Sequence, residues 1–135
     1  MRLVLDASVA LCWCFRDEQN PLADYAFSHL QNGAEAVVPI IWWFEIRNAI
    51  TLGVRRNRID EQGMDAFLKR LSNMLVIIAE LPETNNVFAI AQRRRLTFYD
   101  AAYLELAQRE SMALATLDQA LAKAATAEGV ALIGA

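Results

Sequence analysis

The chain has 135 residues, 56% of them hydrophobic, and its formal net charge is −3. A chain of this length and apolarity can fill one compact core and is too apolar for a disordered protein, so we expect a single folded domain over residues 1–135. One histidine and two cysteines leave almost nothing for a zinc site or a histidine-based triad, so any chemistry must come from carboxylates, hydroxyls or the backbone.

Five short runs of aliphatic residues, in chain order, predict buried β-strands. They lie at residues 3–5, 36–38, 75–78, 112–116 and 130–133. Helical stretches separate these runs. Between the first two, Asn20 and Pro21 supply an N-cap and a first-turn proline for a helix that ends at Gly33.

Further helices are predicted downstream. One begins at Pro39 and continues through Arg56, and Asp60 caps the next. The last three are expected at residues 84–95, 100–110 and 118–129. This alternation of strands and helices predicts right-handed crossovers and a central, mostly parallel sheet with helices on both faces, which is a three-layer α/β/α sandwich.

No segment is suited to cross a membrane or to direct secretion. The longest nearly uncharged run, residues 36–46, is shorter than a bilayer requires and contains a proline and a glutamate. Asp6 interrupts the apolar N-terminal stretch where a secretory signal would stay apolar. Cys12 and Cys14 lie two residues apart among large apolar residues, which is typical of buried thiols, so we expect a protein of the reducing cytoplasm.

Three aspartates stand where predicted strands give way to helices. Asp6 directly follows the first strand, and Asp118 follows the fourth. Both therefore belong at the carboxyl ends of parallel strands, the edge where α/β sheets bind ligands. Asp100 opens a predicted helix after residues 96–99 and can be brought to the same edge. Taken singly, each aspartate is also explained as a helix N-cap.

Glu45 is harder to explain as a surface residue. It shares one face of its predicted helix with residues that are mostly apolar, namely Ile41, Trp42, Asn48, Ala49 and Leu52. A carboxylate in a stripe facing the sheet needs a partner, and no Lys or Arg on that face stands three or four residues away. The alternative is a core carboxylate that is satisfied by a hydroxyl.

Four carboxylates at one edge would repel one another unless a cation held them together. Oxygen ligands select hard ions such as Mg²⁺ or Mn²⁺ rather than Zn²⁺, and such ions activate water and neutralise charge on a phosphodiester. Ser8 and Thr116 each lie two residues from an acid, and Asn48 shares the face of Glu45, so these polar groups are candidates to support the site. The two hydroxyls are also explained as local caps.

Arginines and aromatic residues give weaker indications of function. Two groups of arginines end predicted helices, where cations complement the helix dipole: Arg55, Arg56 and Arg58, then Arg93, Arg94 and Arg95. Contact with the phosphates of a polyanionic substrate is the alternative, which we assign to the second group. Several aromatic residues at helical spacing are more typical of a core or a dimer interface than of base stacking: Trp42, Trp43, Phe44, Tyr99 and Tyr103.

With these residues in this order, the sequence resembles the PIN domain family, and within it the VapC-type toxins. The resemblance rests on five segments: LVLDAS at 3–8, PIIWWFEIRNAI at 39–50, LTFYDAAYLELA at 96–107, LATLD at 114–118 and GVALIG at 129–134. It covers residues 3–134, with an acid at each expected place. Arg47 departs from the pattern, because the family usually has a small or aliphatic residue there.

The resemblance implies a PIN-like fold, a homodimer, a cognate antitoxin partner and an endoribonuclease that requires Mg²⁺ or Mn²⁺. It assigns four residues to the catalytic and metal-binding set, namely Asp6, Glu45, Asp100 and Asp118. Thr116 matches the accompanying hydroxyl, and Ser8 matches the small polar position after the first acid. Hydrolysis by a metal-bound water would leave 5′-phosphate and 3′-hydroxyl ends on the RNA.

Two other functions stay open. A DNA nuclease or another metal-dependent phosphodiesterase would use the same carboxylates. A phosphoacceptor receiver module has a similar size and an acidic pocket, but it needs an acid pair after the first strand and a lysine after the fifth. Here Ala7 follows Asp6, and the late strand lacks the lysine, so the receiver pattern fits poorly.

Overall fold

The computed structural model describes residues 1–134, which form a parallel sheet with helices on both faces. Four strands build the sheet: β1 (Arg2–Leu5), β2 (Glu35–Val38), β3 (Leu75–Ile78) and β4 (Ala113–Ala115). Their order across the sheet is β3-β2-β1-β4, and each neighbouring pair runs parallel. The predicted parallel sheet is confirmed.

The helices within residues 1–134 are α1 (Ala7–Leu11), α2 (Pro21–Gln31), α3 (Ile40–Arg55), α4 (Glu61–Ser72), α5 (Thr84–Arg94), α6 (Phe98–Glu110) and α7 (Gln119–Ala127). A single 3₁₀ turn, Arg16–Glu18, separates α1 from α2. The predicted caps are observed for three helices, since side-chain oxygens of Asn20, Asp60 and Asp118 accept backbone N–H groups of the first turns of α2, α4 and α7.

Helices cover the sheet in two layers. The crossovers from β1 to β2 and from β2 to β3 run in one direction and contain α1 to α4, whereas α5 and α6 lead back from β3 to β4. Right-handed crossovers in opposite directions put these two sets on opposite faces. The contacts agree, because α4 packs against β3 while α6 packs against β1 and β4 and also contacts α5 and α7. The chain is thus an α/β/α sandwich, as the sequence predicted.

One observed helix was not predicted, and two predicted elements differ from the observed ones. The helix α1 was not predicted, since five residues between Asp6 and Cys12 are too few to show a helical period. The helix expected from Asp100 begins two residues earlier, at Phe98. The fifth strand, expected at 130–133, is reduced to an isolated parallel bridge between Leu114 and Leu132.

Burial is uneven across the sheet. The side chains of β1 from Leu3 to Leu5 are fully buried, and they lie in one contiguous apolar core. The strand β3 was predicted to be buried but forms the edge of the sheet, and Leu75, Ile77 and Ile78 are exposed. No helix within residues 1–134 combines the length and apolarity needed to span a bilayer.

The topology creates a crevice beside β1. Its neighbours β2 and β4 are reached by crossovers on opposite faces, so β1 and β4 lie at the point where the strand order reverses. At such a point the connections diverge and leave a crevice at the carboxyl ends of the strands. Asp6 follows β1 and Thr116 follows β4, so the fold brings both of them to this crevice.

Candidate active site

Two hydroxyl groups hold Asp6 at the end of β1. The Asp6 side chain is buried, with 6% of the residue exposed. Ser8 Oγ and Thr116 Oγ1 both donate to its Oδ2, each at 2.7 Å. Asp6 occupies the N-cap position of α1, but its side chain makes no cap hydrogen bond. The N-cap explanation is therefore wrong for Asp6, whose orientation is set by hydroxyls instead.

The same hydroxyls join β1 to the segment after β4. Thr116 Oγ1 accepts the backbone N–H of Asp118 at 3.0 Å, and Ser8 Oγ accepts that of Leu117 at 3.0 Å. Each hydroxyl thus uses a lone pair for the backbone and its one proton for Asp6. Ser8 and Thr116 are more than local caps, because together they fix the Asp6 carboxylate relative to residues 116–118.

The other two aspartates are presented by first turns of helices. Asp118 Oδ1 accepts the N–H of Leu121 at 3.0 Å, so this side chain does cap α7, and within residues 1–134 its Oδ2 accepts no hydrogen bond. Asp100 is not a cap: Thr97 caps α6 and accepts the Asp100 N–H at 3.1 Å. The Asp100 side chain is half-buried, and it does not serve as a helix cap.

Glu45 meets a tyrosine from the facing helix. The buried stripe of α3 consists of Trp42, Ile46, Ile50 and Gly53. Glu45 lies beside that stripe and is half-buried, so the prediction that it shares the sheet-facing stripe is wrong in detail. Tyr103 of α6 donates its hydroxyl to Glu45 Oε1 at 2.5 Å. The hydroxyl partner that the sequence left open for Glu45 is therefore present, but sequence reasoning assigned Tyr103 to the core or to an interface and did not identify it as that partner.

Burial and neighbouring carboxylates shift the ionisation of Asp6, Glu45 and Asp100. Burial raises the pKa of Asp6, and the negative charge of Asp118 adds to this rise against the hydrogen bonds from the two hydroxyls. Burial likewise raises the pKa of Glu45 and of Asp100, and in both cases the charge of Asp6 adds to the effect. Carboxylates from β1, α3, α6 and the end of β4 therefore form one electrostatic cluster, which we call the acidic rim.

A divalent cation fits the acidic rim by charge and donor chemistry. Its donors are carboxylate oxygens, and within residues 1–134 none of the four acids forms a salt bridge with Lys, Arg or His. In that part of the chain, no three His, Cys, Asp or Glu side chains are spaced as a ready-made metal centre. The fit is thus one of chemistry and charge rather than of preset spacing.

Two of the three arginines proposed for RNA contact are bound to a carboxylate outside the acidic rim. Arg93 binds Glu128 with two hydrogen bonds at 2.9 and 2.8 Å, and Arg94 binds the same carboxylate at 2.6 Å. These contacts lower the pKa of Glu128 to about 2, the bond from Arg93 contributing most. Glu128 follows the last turn of α7, about 15 Å along the helix from Asp118. Arg95 forms no ion pair within residues 1–134 and has a left-handed backbone, with φ of 55°.

The remaining candidates lie on the outer faces of α3. Asn48 is exposed one turn after Glu45, and its side chain forms no hydrogen bond in the described part of the chain. Arg47, which departs from the family pattern, lies with its guanidinium 4.0 Å from the centre of the Trp43 ring and donates to the Trp43 carbonyl. These contacts place Arg47 on the face of α3 opposite Glu45.

Comparisons with known proteins agree with this geometry. Ribonuclease VapC3 from Pyrobaculum aerophilum is 29% identical over 126 residues, which cover 91% of this chain and 94% of that protein. Exonuclease VapC9 from the same organism is 31% identical over 78 residues, 58% of each chain. A crystal structure of a P. aerophilum protein superimposes with a TM-score of 0.68 at 27% identity and covers 92% of this chain and 87% of that one.

The family model named PIN domain matches residues 3–127, a span that begins at the first strand and contains all four acids of the rim. The order of strands, the acids at their carboxyl ends and this match agree, and the chain belongs to the PIN domain family.

Proposed function

We propose that this protein is a metal-dependent endoribonuclease and the toxin of a VapBC-type toxin–antitoxin pair. The observation that carries the proposal is the acidic rim at the reversal point of the sheet, where two hydroxyls orient Asp6 among carboxylates that form no salt bridge within residues 1–134. Membership of the PIN domain family and the similarity to a relative named ribonuclease support it. The receiver alternative has no such support.

The residues of the rim have separate roles in this proposal. Asp6, Asp100 and Asp118 would hold Mg²⁺ or Mn²⁺, and Glu45 would bind a second ion or orient the attacking water. When bound, the ion supplies an activated water and neutralises charge on the phosphate. Ser8 and Thr116 keep Asp6 Oδ2 occupied, so they orient the carboxylate without competing for Oδ1. Hydrolysis adds hydroxyl to phosphorus and a proton to O3′, which leaves 5′-phosphate and 3′-hydroxyl ends.

A second candidate is exonuclease cleavage, which is favoured by the relative named Exonuclease VapC9. A DNA nuclease would use the same acids. These alternatives differ in substrate rather than in the site, so one assay separates them. Circular RNA has no ends, so only an endonuclease cuts it. Matched linear RNA and DNA show which sugar the enzyme accepts, and the fragments of the linear substrates show whether cleavage begins at an end.

The test is incubation of the protein with circular RNA, linear RNA and single-stranded DNA, each with Mg²⁺, Mn²⁺ or a chelator. We expect cleavage of circular RNA that requires the metal and gives 5′-phosphate ends by mass spectrometry. Asp6→Asn should abolish it, whereas Asp60→Asn, which alters only the cap of α4, should cut at the parent rate. Cleavage in chelator, or of DNA alone, would contradict the proposal.

We also propose a homodimer that forms through an apolar groove next to the rim. The groove has a volume of about 240 Å³ and lies between the start of α3, the segment after β3 and the start of α6. Its exposed side chains include Ile40, Phe44, Leu81, Phe98 and Tyr99. So many large apolar side chains at one place on a small chain mark a contact surface.

Light scattering at micromolar concentration tests the dimer. Leu81→Lys puts a charge at the most exposed side chain of the groove and should give a monomer. Tyr25→Lys makes the same change at an exposed position of α2 outside the groove and should leave the mass unchanged. A parent protein that is a monomer at this concentration would disprove the dimer.

The partner antitoxin is proposed to carry a basic or aromatic segment that enters the acidic rim. Unpaired carboxylates attract an arginine side chain, which would compete with the metal. The test is to search the adjacent upstream reading frame for a short antitoxin and to co-express its product, which should abolish both cleavage and the rise of Tm with Mn²⁺. We place this activity in the cytoplasm, where RNA is present and the thiols of Cys12 and Cys14 stay reduced.

A further inference from the structure

Tyr103 is a buried tyrosine whose hydroxyl has a specific partner. The residue is fully buried on α6, and a buried phenol must form a hydrogen bond or lose the solvation of its hydroxyl. Within residues 1–134 its hydroxyl donates to one side chain, Glu45, at an O–O distance of 2.5 Å. Phenylalanine would fill the same space without this requirement, so the hydroxyl has a purpose beyond packing.

The position of Tyr103 connects two parts of the acidic rim. Asp100 and Tyr103 lie three residues apart, so one face of α6 carries both an acid and the phenol. The Tyr103 hydroxyl reaches Glu45 on α3, so the phenol links the acid-bearing face of α6 to the acid on α3.

Glu45 needs such a donor more than Asp6 and Asp118 do. Ser8 and Thr116 hold Asp6, and Asp118 is held by the first turn of α7. Glu45 projects from the side of a long helix on a flexible side chain, and its one hydrogen bond in the described structure comes from Tyr103. Without this bond its carboxylate would exchange between rotamers and spend less time at the rim.

We infer that Tyr103 is a positioning residue that holds the Glu45 carboxylate at the acidic rim through Oε1 and leaves Oε2 for a cation or a water. This inference rests on the proposed nuclease function of the rim. It assigns a role to the tyrosine within the segment DAAY at 100–103, where the spacing places the acid and the phenol on one face of α6.

The test is a double-mutant cycle with Tyr103→Phe, Glu45→Ala and both changes together. Each protein is measured for Mn²⁺ affinity by calorimetric titration and for single-turnover RNA cleavage. Tyr103→Phe should weaken both by about 10-fold, which is the loss typical when a group that orients a metal ligand is removed. Adding it to Glu45→Ala should cause no further loss, because the hydroxyl then has no carboxylate to position. A purely structural role would instead give additive losses.

A second readout does not depend on activity. In the metal-free protein, the Glu45 side chain should show one rotamer by NMR in the parent and averaging in Tyr103→Phe. Tyr25→Phe, which removes a hydroxyl from an exposed tyrosine of α2, should change none of these values. Averaging of Glu45 in the parent, or additive losses in the cycle, would overturn the inference. An ordered Glu45 in a parent that neither binds Mn²⁺ nor cuts RNA would instead refute the proposed function.

Discussion

At the scale of single residues, the direction of the pKa shift distinguishes the acids of the proposed site from an acid that stabilises the fold. Asp6, Glu45 and Asp100 of the acidic rim have raised pKa values, because burial and like charges disfavour their ionised forms. Glu128 shows the opposite, since Arg93, Arg94 and Gln108 all donate to its side chain. The rim therefore costs folding stability at neutral pH, whereas Glu128 contributes to it.

Glu128→Gln tests the scaffold half of this contrast. The folded pKa of Glu128 is about 2, below its ordinary value of 4.5, so its contribution is present above pH 4.5 and is lost as the pH falls toward 2. We expect the variant to be about 1–2 kcal/mol less stable at pH 7, since solvent screens the half-exposed Arg93, and this deficit should shrink in acid. Urea unfolding at pH 7 and pH 3 measures it, with Glu83→Gln, an exposed acid, as the control. A deficit that does not change with pH would contradict the ion-pair role.

The same ion pairs change what is expected of the arginines. A joint replacement of Arg93, Arg94 and Arg95 by Ala would weaken RNA binding if all three contact phosphate. Because two of them are bound to Glu128, we expect the single change Arg95→Ala to reduce the salt slope of RNA binding by about 1, whereas Arg93→Ala should lower Tm and leave the slope unchanged. Filter binding at several salt concentrations measures the slope. A reduced slope in Arg93→Ala would show instead that Arg93 contacts RNA.

How far the sequence predicted these residues depends on the range of the interactions. The aspartates at strand ends were found because a strand followed by an acid is a local pattern. The bond between Glu45 and Tyr103 joins residues 58 positions apart, and no periodicity within one helix reveals it. The ion pairs of Glu128 were missed for the same reason. The one available indication for Tyr103 was its position three residues after an acid, in a helix that is buried along most of its length.

At the scale of elements, caps and sheet order explain which predictions were accurate. Asn20, Asp60 and Asp118 were placed correctly because a cap needs only its own first turn. Asp100 was mistaken for a cap because Thr97, three residues earlier, makes the equivalent bond. The exposure of β3 and the weak pairing of residues 130–133 depend on which strand lies at the edge, and that is set by the whole sheet.

Asp118 has an element-scale role as the cap of α7 and a proposed chemical role, and two substitutions separate them. Asparagine is as good an N-cap as aspartate, so Asp118→Asn should keep the stability of α7, whereas Asp118→Ala should lose about 1 kcal/mol. Both variants should lose RNA cleavage, because both remove the carboxylate. Urea unfolding in chelator and the cleavage assay measure the two effects.

Asp60 provides the matched control, since its Oδ1 caps α4 at 2.7 Å from the Gly63 nitrogen. Asp60→Ala should cost about the same stability as Asp118→Ala and leave cleavage unchanged. If Asp118→Asn cut RNA at the parent rate, Asp118 would be a cap and nothing more.

At the scale of the whole molecule, the metal binding proposed for the acidic rim would be linked to folding. The fold gathers four acids from β1, α3, α6 and the end of β4, and three of these have pKa values raised by burial and by charges of the cluster. A raised folded pKa means that stability is full at low pH and falls as the pH rises through that folded pKa. A cation that binds only the folded rim would offset this loss at neutral pH.

Melting with and without Mn²⁺ tests this linkage. At an Mn²⁺ concentration a hundredfold above Kd, the folded state should gain about 2.7 kcal/mol, which raises Tm by several degrees in a chain of this size. Asp100→Asn keeps the shape and removes one of the repelling charges, so the metal-free variant should melt at or above the parent Tm at pH 7 while losing both the Mn²⁺ shift and RNA cleavage. Asp6→Asn should likewise lose the Mn²⁺ shift and cleavage, and Asp60→Asn should respond to Mn²⁺ as the parent does. If the Asp100→Asn protein still melts higher with Mn²⁺ and still cuts RNA at the parent rate, Asp100 is not part of the site.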